Sequence, residues 1–118
     1  MLNFTVNISE KASIPIVYVV GEVDAHTSPE LNKTLISLIE NGKKNIIINI
    51  NDVGFIDSAG VGAIARSAQA LLNTHQEQFK VVCDNTQLKR IFDVSGLSNE
   101  ILQFYAQESE ALNAVEKE

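Results

Sequence analysis

A chain of 118 residues suits one domain, 1–118, and leaves little room for a second. With 45% hydrophobic and 20% charged residues it has the composition of a globular protein able to bury its own core. A formal net charge of −6 argues against binding nucleic acid or an anionic membrane, which need a basic face, and a single cysteine excludes an internal disulfide.

The N-terminal Met1-Leu2-Asn3-Phe4 has neither the basic start nor the long apolar stretch of a signal peptide. No apolar run approaches the ~20 residues that span a bilayer. A cytoplasmic protein is expected. Phe4, Val6 and Ile8 then alternate with polar residues, as in a half-buried strand. A more apolar strand is predicted over 14–20, with Pro15 near its start, and Gly21-Glu22-Val23-Asp24 leads out of it. Thr27 and Glu30 have capping-box spacing, and Pro29 sits in the first turn of the helix they would open. Leu31, Leu35, Leu38 and Ile39 give that helix one buried stripe, and Asn41-Gly42 ends it.

Residues 46–50 are β-branched and almost wholly apolar, the mark of a strand covered on both faces. Asn51-Asp52-Val53-Gly54 reads as a turn, and Phe55-Ile56-Asp57-Ser58 leads into a second helix. On that helix Val61, Ile64, Ala65, Ala68, Leu71 and Leu72 form the apolar face. A strand over 79–83 follows. Cys83 lies in its apolar Val81-Val82-Cys83 run and reads as a small buried hydrophobe. Asn85 or Thr86 can cap a third helix, with Leu88, Ile91 and Phe92 inward and Ser95-Gly96 closing it. A short strand over 101–105 and a helix over 108–115 complete the chain.

The order β-β-α-β-α-β-α-β-α predicts an α/β fold: a single mixed, mostly parallel sheet with helices packed on it. The first two strands pair as neighbours, and the later ones join in parallel through right-handed crossovers. Binding sites in such sheets lie beyond the carboxyl ends of the strands. Two loops fall there, 24–28 and 52–60.

The junction Asp57-Ser58-Ala59-Gly60-Val61-Gly62 is the most informative stretch. Ser58 stands where an N-cap is expected, its hydroxyl able to accept from a free first-turn amide. Ala59, Gly60, Gly62 and Ala63 leave the helix start nearly bare. Two glycines there cost about 1 kcal/mol each against alanine. Either another protein's backbone approaches the Ser58 hydroxyl, or the glycines allow close packing on the sheet. Asp24, on the neighbouring loop, is expected near Ser58.

Other chemistries fit less well. Gly60-x-Gly62-x-x-Ala65, with Asp84 about 20 residues on, satisfies a loose dinucleotide fingerprint, but that motif needs its glycines directly after a strand. The apolar run here ends at Ile50, and the chain supplies at most half of the usual dinucleotide fold. A serine nucleophile needs a base: His75 falls four turns away along the second helix, and Asp57-Ser58-Ala59-Gly60 is not a G-x-S-x-G elbow. His26 reads as a loop residue. One cysteine and two distant histidines build no transition-metal site.

Three stretches, in order and at matching separations, resemble the bacterial anti-sigma factor antagonists of the STAS domain family. They are Gly21-Glu22-Val23-Asp24-Ala25-His26-Thr27-Ser28-Pro29-Glu30-Leu31, then Asp57-Ser58-Ala59-Gly60-Val61-Gly62, then Leu88-Lys89-Arg90-Ile91-Phe92-Asp93-Val94-Ser95-Gly96-Leu97. Valine at 61, where leucine is common, is a conservative departure. The resemblance implies a STAS-like fold, no enzymatic activity and no cofactor. It implies a protein that binds an anti-sigma factor with serine kinase activity, so that a sigma factor is freed. Phosphorylation of the serine of the D-S-x-G motif, here Ser58, ends the binding, and a metal-dependent serine phosphatase restores it. Partner binding is accordingly expected at Asp24, Thr27, Asp57, Ser58, Ala59, Gly60 and Gly62. The alternative is a non-catalytic STAS subunit that docks on a transporter or signalling scaffold.

Overall fold

The computed structural model describes residues 3–97 and 100–116. Five strands and four helices alternate as expected: β1 Thr5–Lys11, β2 Ile14–Val23, α1 Ser28–Glu40, β3 Ile47–Ile56, α2 Ser58–His75, β4 Phe79–Val82, α3 Thr86–Val94, β5 Leu102–Tyr105 and α4 Glu108–Glu116. They build one sheet in the order β1-β2-β3-β4-β5. β1 pairs antiparallel with β2, and the three remaining pairs are parallel.

Strand periodicity sorts the side chains of the sheet onto two faces. Val17, Val19, Ile46, Ile48, Phe79 and Val81 meet Leu31, Leu35 and Ile39 of α1, Ile64, Ala68 and Leu71 of α2, and Leu88 and Phe92 of α3 in the main core. The alternate residues Ile14, Ile16, Ile47 and Val82 pack under α4 through Ala111. Three helices thus cover one face and α4 the other. Leu38 and Leu72 are only half-buried, at the margins of their stripes, and Ile91 points outward on α3 with 38% of its surface exposed.

The largest departure from the sequence reading is the length of β3. Residues 51–54 are not a turn: the strand continues to Ile56 through two single-residue bulges. Tyr18 pairs with Asn49 but Val20 with Asp52, and Gly21 pairs with Val53 but Glu22 with Phe55. Each extra residue lets three positions do the work of two. Ile50, Val53 and Ile56 therefore all reach the same core at a spacing of three, which hides the strand from a search for period two. The Asn49 side chain accepts from the Asn51 amide (3.0 Å) at the first bulge. β2 likewise runs on to Val23, keeping pace with β3. The bulged extension carries the sheet directly to the start of α2.

One carboxylate attaches α4 to the opposite face. Glu108, the first residue of α4, accepts from Tyr18 Oη (2.7 Å) and Asn49 Nδ2 (3.3 Å) and pairs with Lys11 Nζ, so one side chain reaches β1, β2 and β3. Partial burial raises the Glu108 pKa, but the hydrogen bonds from Lys11, Tyr18 and Asn49 outweigh it and hold the carboxyl below its ordinary value. The same contact raises the Lys11 pKa above its ordinary 10.5.

Truncating Leu35 or Leu71, both fully buried, to alanine is expected to cost about 2–5 kcal/mol. Leu38→Ala costs less than half as much, and urea midpoints give all three. The Glu108 contact has a pH signature. Its stabilisation is complete above the ordinary carboxylate value and is lost as pH falls through the depressed folded value. Urea titrations between about pH 2 and pH 6 are expected to give a steeper acid limb for the parent than for Glu108→Gln.

Candidate functional site

The β2 and β3 extensions end side by side, Val23 paired with Ile56. The next residues form two loops at the carboxyl edge of the sheet. The Asp57 amide donates to the Val23 carbonyl (3.2 Å), joining the start of α2 to the end of β2. The structure thereby brings the expected Asp24–Thr27 segment and the Asp57–Gly62 segment to one place.

The first loop is a hydrogen-bonded knot. Asp24 Oδ1 accepts from the amides of His26 (2.9 Å) and Thr27 (3.1 Å). Thr27 Oγ1 donates to the Glu22 carbonyl (2.7 Å) and accepts from the Asp24 amide (2.9 Å). Thr27 is the N-cap residue of α1 by position, but its side chain turns back into the loop and makes no capping bond, so the expected Thr27–Glu30 capping box is absent. Partial burial raises the Asp24 pKa, yet the bonds from Thr27 and His26 outweigh it and hold the carboxyl below its ordinary value. Asp24 is therefore a fixed negative charge. His26 is exposed on this loop, as expected.

At the second loop the cap is one residue earlier than the sequence reading placed it. Asp57, in extended conformation, is the N-cap of α2, and its Oδ1 accepts from the Gly60 amide (3.0 Å). Aspartate outcompetes the adjacent serine because a carboxylate also complements the helix dipole. Ser58 is then the first helical residue. Its side chain is exposed, and Ser58 Oγ makes no hydrogen bond among the described residues. Released from capping, the hydroxyl is available at the surface. Ala59 is half-buried beside it.

The two glycines have different reasons. A Cβ on Gly60 would stand 2.6 Å from the Val23 carbonyl oxygen and 2.7 Å from Ile56 Cγ1. Gly60 thus lets α2 lie directly on the two strand ends, and its bare side faces the protein. A Cβ on Gly62 would meet only Arg66 Nη1, at 3.3 Å. Packing on the sheet does not require that glycine.

These positions also bear on the rival chemistries. β3 reaches Ile56, so Gly60 does follow a strand closely, and that objection to a dinucleotide fingerprint falls. Another replaces it, since the face of Gly60 that a pyrophosphate must approach is filled by Val23 and Ile56. His75 lies at the far end of α2, where Nε2 is 3.1 Å from the Ile39 carbonyl oxygen. Cys83 is buried and its thiol donates to the Asn85 carbonyl (3.4 Å); burial raises its pKa, away from reactivity.

One neighbouring feature has no signal in the sequence. Phe55, 49% exposed, and Ile91 line a groove of about 140 Å³ between the end of β3 and α3. The reversal of facing at the Gly54 bulge turns Phe55 outward, and an undetected bulge gives no signal in an apolar count.

The contrast between the glycines is testable. Gly60→Ala is expected to destabilise by about 1–3 kcal/mol through the clash with the Val23 carbonyl. Gly62→Ala is expected to stabilise by about 0.5–1 kcal/mol through helix propensity. Asp57→Ala loses a cap, at about 0.5–2 kcal/mol, whereas Ser58→Ala stays within about 0.5 kcal/mol. Urea midpoints of the four variants check the assignment of cap and packing roles.

Comparisons with known proteins bear on the fold and the family. The STAS domain family model matches residues 5–111. The anti-sigma-B factor antagonist of Staphylococcus epidermidis is 30% identical over 83 residues, spanning 70% of this chain and 76% of that protein. An anti-sigma factor antagonist from Mycobacterium paratuberculosis superposes with a TM-score of 0.86 at 24% identity, covering 97% of this chain and 95% of its own. The phosphorylated form of the Bacillus cell fate determinant SpoIIAA superposes with a TM-score of 0.71 at 23% identity, covering 96% of this chain and 99% of its own. The two superpositions speak for the fold. Together with a family match over nearly the full length, they leave one assignment: the chain belongs to the STAS domain family.

Proposed function

We propose that this protein is a cytoplasmic anti-sigma factor antagonist that works by partner switching and has no catalytic turnover of its own. In its unphosphorylated form it binds an anti-sigma factor that is also a serine kinase, and a sigma factor is released. The kinase transfers the γ-phosphoryl group of ATP to Ser58: the Ser58 Oγ–P bond forms, the bond to the ADP oxygen breaks, and the hydroxyl proton is lost. Binding then ends until a metal-dependent serine phosphatase hydrolyses the ester. The relatives named anti-sigma factor antagonists, and a solved neighbour in phosphorylated form, support this reading.

The observation that carries it is the state of Ser58. A helix-start serine ordinarily spends its hydroxyl on the first-turn amides. Here Asp57 takes that duty, and Ser58 is left exposed and without a hydrogen-bond partner among the described residues, on the segment that the Asp57–Val23 hydrogen bond joins to the Asp24 loop. Phosphate adds about −1.5 to −2 charges at that point. A partner fitted to the uncharged surface meets a bulky dianion flanked by Asp24 and Asp57. A loss of about 3–4 kcal/mol weakens binding several hundredfold, enough for a switch.

Parent, Ser58→Ala and Ser58→Asp proteins used as bait in cytosol of the producing bacterium test this. Parent and Ser58→Ala are expected to retain the same ATPase-fold kinase, and Ser58→Asp to lose it, with all three unfolding within about 0.5 kcal/mol of each other. ATP added to the captured complex is expected to place phosphate on Ser58 of the parent, seen by peptide mass. Equal capture by Ser58→Asp together with no phosphate on Ser58 overturns the switch.

A further inference from the structure

Gly62 weakens its helix, and nothing in the sheet packing asks for it. Its one close neighbour is the guanidinium of Arg66. Ser58, Gly62 and Arg66 stand at i, i+4 and i+8 of α2, on one stripe of the helix surface. Arg66 Nη1 would be 3.3 Å from a Cβ on Gly62, so the side chain lies back over the preceding turn, the direction in which helical side chains lean. It has already covered one of the two turns that separate it from Ser58.

We propose that Arg66 is the in-chain partner of the phosphate on Ser58, a positioning residue whose guanidinium reaches along the bare surface of Gly62 to hold the phosphoryl group against its own helix. The proposal rests on the reading that Ser58 is the phosphorylated residue. The remaining gap is that of an i, i+4 pair, about 5–6 Å between Cβ positions, and a phosphoryl group on Ser58 Oγ extends into it. Arg66 is exposed and makes no hydrogen bond or ion pair among the described residues, so nothing holds it elsewhere. It is the one arginine of α2, whose other basic residue, His75, is at the far end against the Ile39 carbonyl. The titratable groups on the adjoining segments are Asp57 at the cap, Asp24 and His26 on the β2–α1 loop, and Glu30 and Lys33 on α1, the helix packed against α2. The carboxylates oppose a dianion, and a planar guanidinium offers it bidentate, charge-assisted bonds. Gly62 thereby acquires a reason, since any side chain there stands in the path of the arginine. The pair keeps the phosphate in its dianionic form.

Phosphoserine installed at position 58 during translation tests this without a kinase, so failure of the kinase to label Ser58 bears on the proposed function alone. The second phosphate pKa is read by phosphorus NMR titration. It is expected below the ordinary ~6 in the otherwise unchanged protein and higher by about half a unit to one unit in Arg66→Gln. Arg66→Lys is expected in between. Gly62→Gln keeps the arginine but fills its path, and is expected to raise the pKa as Arg66→Gln does. Lys44→Gln makes the same charge change at the opposite end of β3 and leaves the pKa where it was. Circular dichroism confirms that each variant is folded. Identical titrations for Arg66 and Arg66→Gln proteins overturn the pairing. So does an equal shift in Lys44→Gln, which would mark a general field instead of a contact.

Discussion

The start of α2 rests on the backbone of β2 at closer range than any side chain permits. A methyl group on Gly60 would penetrate to 2.6 Å of the Val23 carbonyl oxygen, and that same carbonyl accepts the Asp57 amide. The two loops that follow β2 and β3 take their position from this approach. Val23 is followed at once by Asp24, and Asp57 by Ser58, so the contact that seats the helix also sets the two loops against each other. The bulges in β3 serve the same end. Without the two extra residues, Ile56 would not arrive opposite Val23 with its side chain in the core. In a regular strand of the same length Gly54 would stand opposite Val23 instead, and Val53 would turn toward the α4 face with Ile47.

Helices and their order were readable because their signals are local. The stripes Leu31–Leu35–Ile39 and Ile64–Ala68–Leu71, the Asn85 cap that accepts from Gln87 and Leu88, and Gly42 in the left-handed region at the end of α1 all behave as their spacing predicts. What failed was signal shared between elements. Asn51-Asp52-Val53-Gly54 has the composition of a turn, yet β2 supplies it with a partner and makes it strand. Thr27 has the right neighbour for a capping box, yet the Glu22 carbonyl and Asp24 amide compete for its hydroxyl and win. Ser58 lost the cap to Asp57, a choice that depends on the extended backbone Asp57 inherits from β3. Ile91 fits the apolar stripe of a short helix, but α3 has only nine residues and its core face is filled by Leu88 and Phe92.

The adjacency of the two candidate segments was legible in the sequence, and their division of labour less so. Asp24, Thr27, Asp57, Ser58, Ala59, Gly60 and Gly62 do converge, but they act at different levels. Thr27 and Asp24 shape the first loop, Asp57 closes the helix, and Gly60 seats it. Ser58 and the bare turn at Gly62 are what remain for the outside world. A motif in sequence cannot separate these roles, because D-S-x-G reads the same whether its aspartate or its serine is the cap. The structure separates them by hydrogen bonds, and the serine is the residue that folding leaves unused.

Under the proposed switch, that separation would let a charge at Ser58 act on recognition while the fold stands. A phosphate at the first helical position gains from the dipole about 0.3–1 kcal/mol. It also meets the Asp57 carboxylate, which already accepts from the Gly60 amide, and the Asp24 carboxylate, which its own loop keeps ionised. Attraction and repulsion are of similar size and both are screened by water at an exposed site. Their difference is small against the roughly 5–15 kcal/mol that holds a domain of this kind together. A partner's surface has no such compensation. Pressed against the helix start, it would exclude the water that screens the dianion, and desolvating that charge costs several kcal/mol. On the proposed reading the same group would be almost neutral to folding and prohibitive to docking, because only docking removes its solvent.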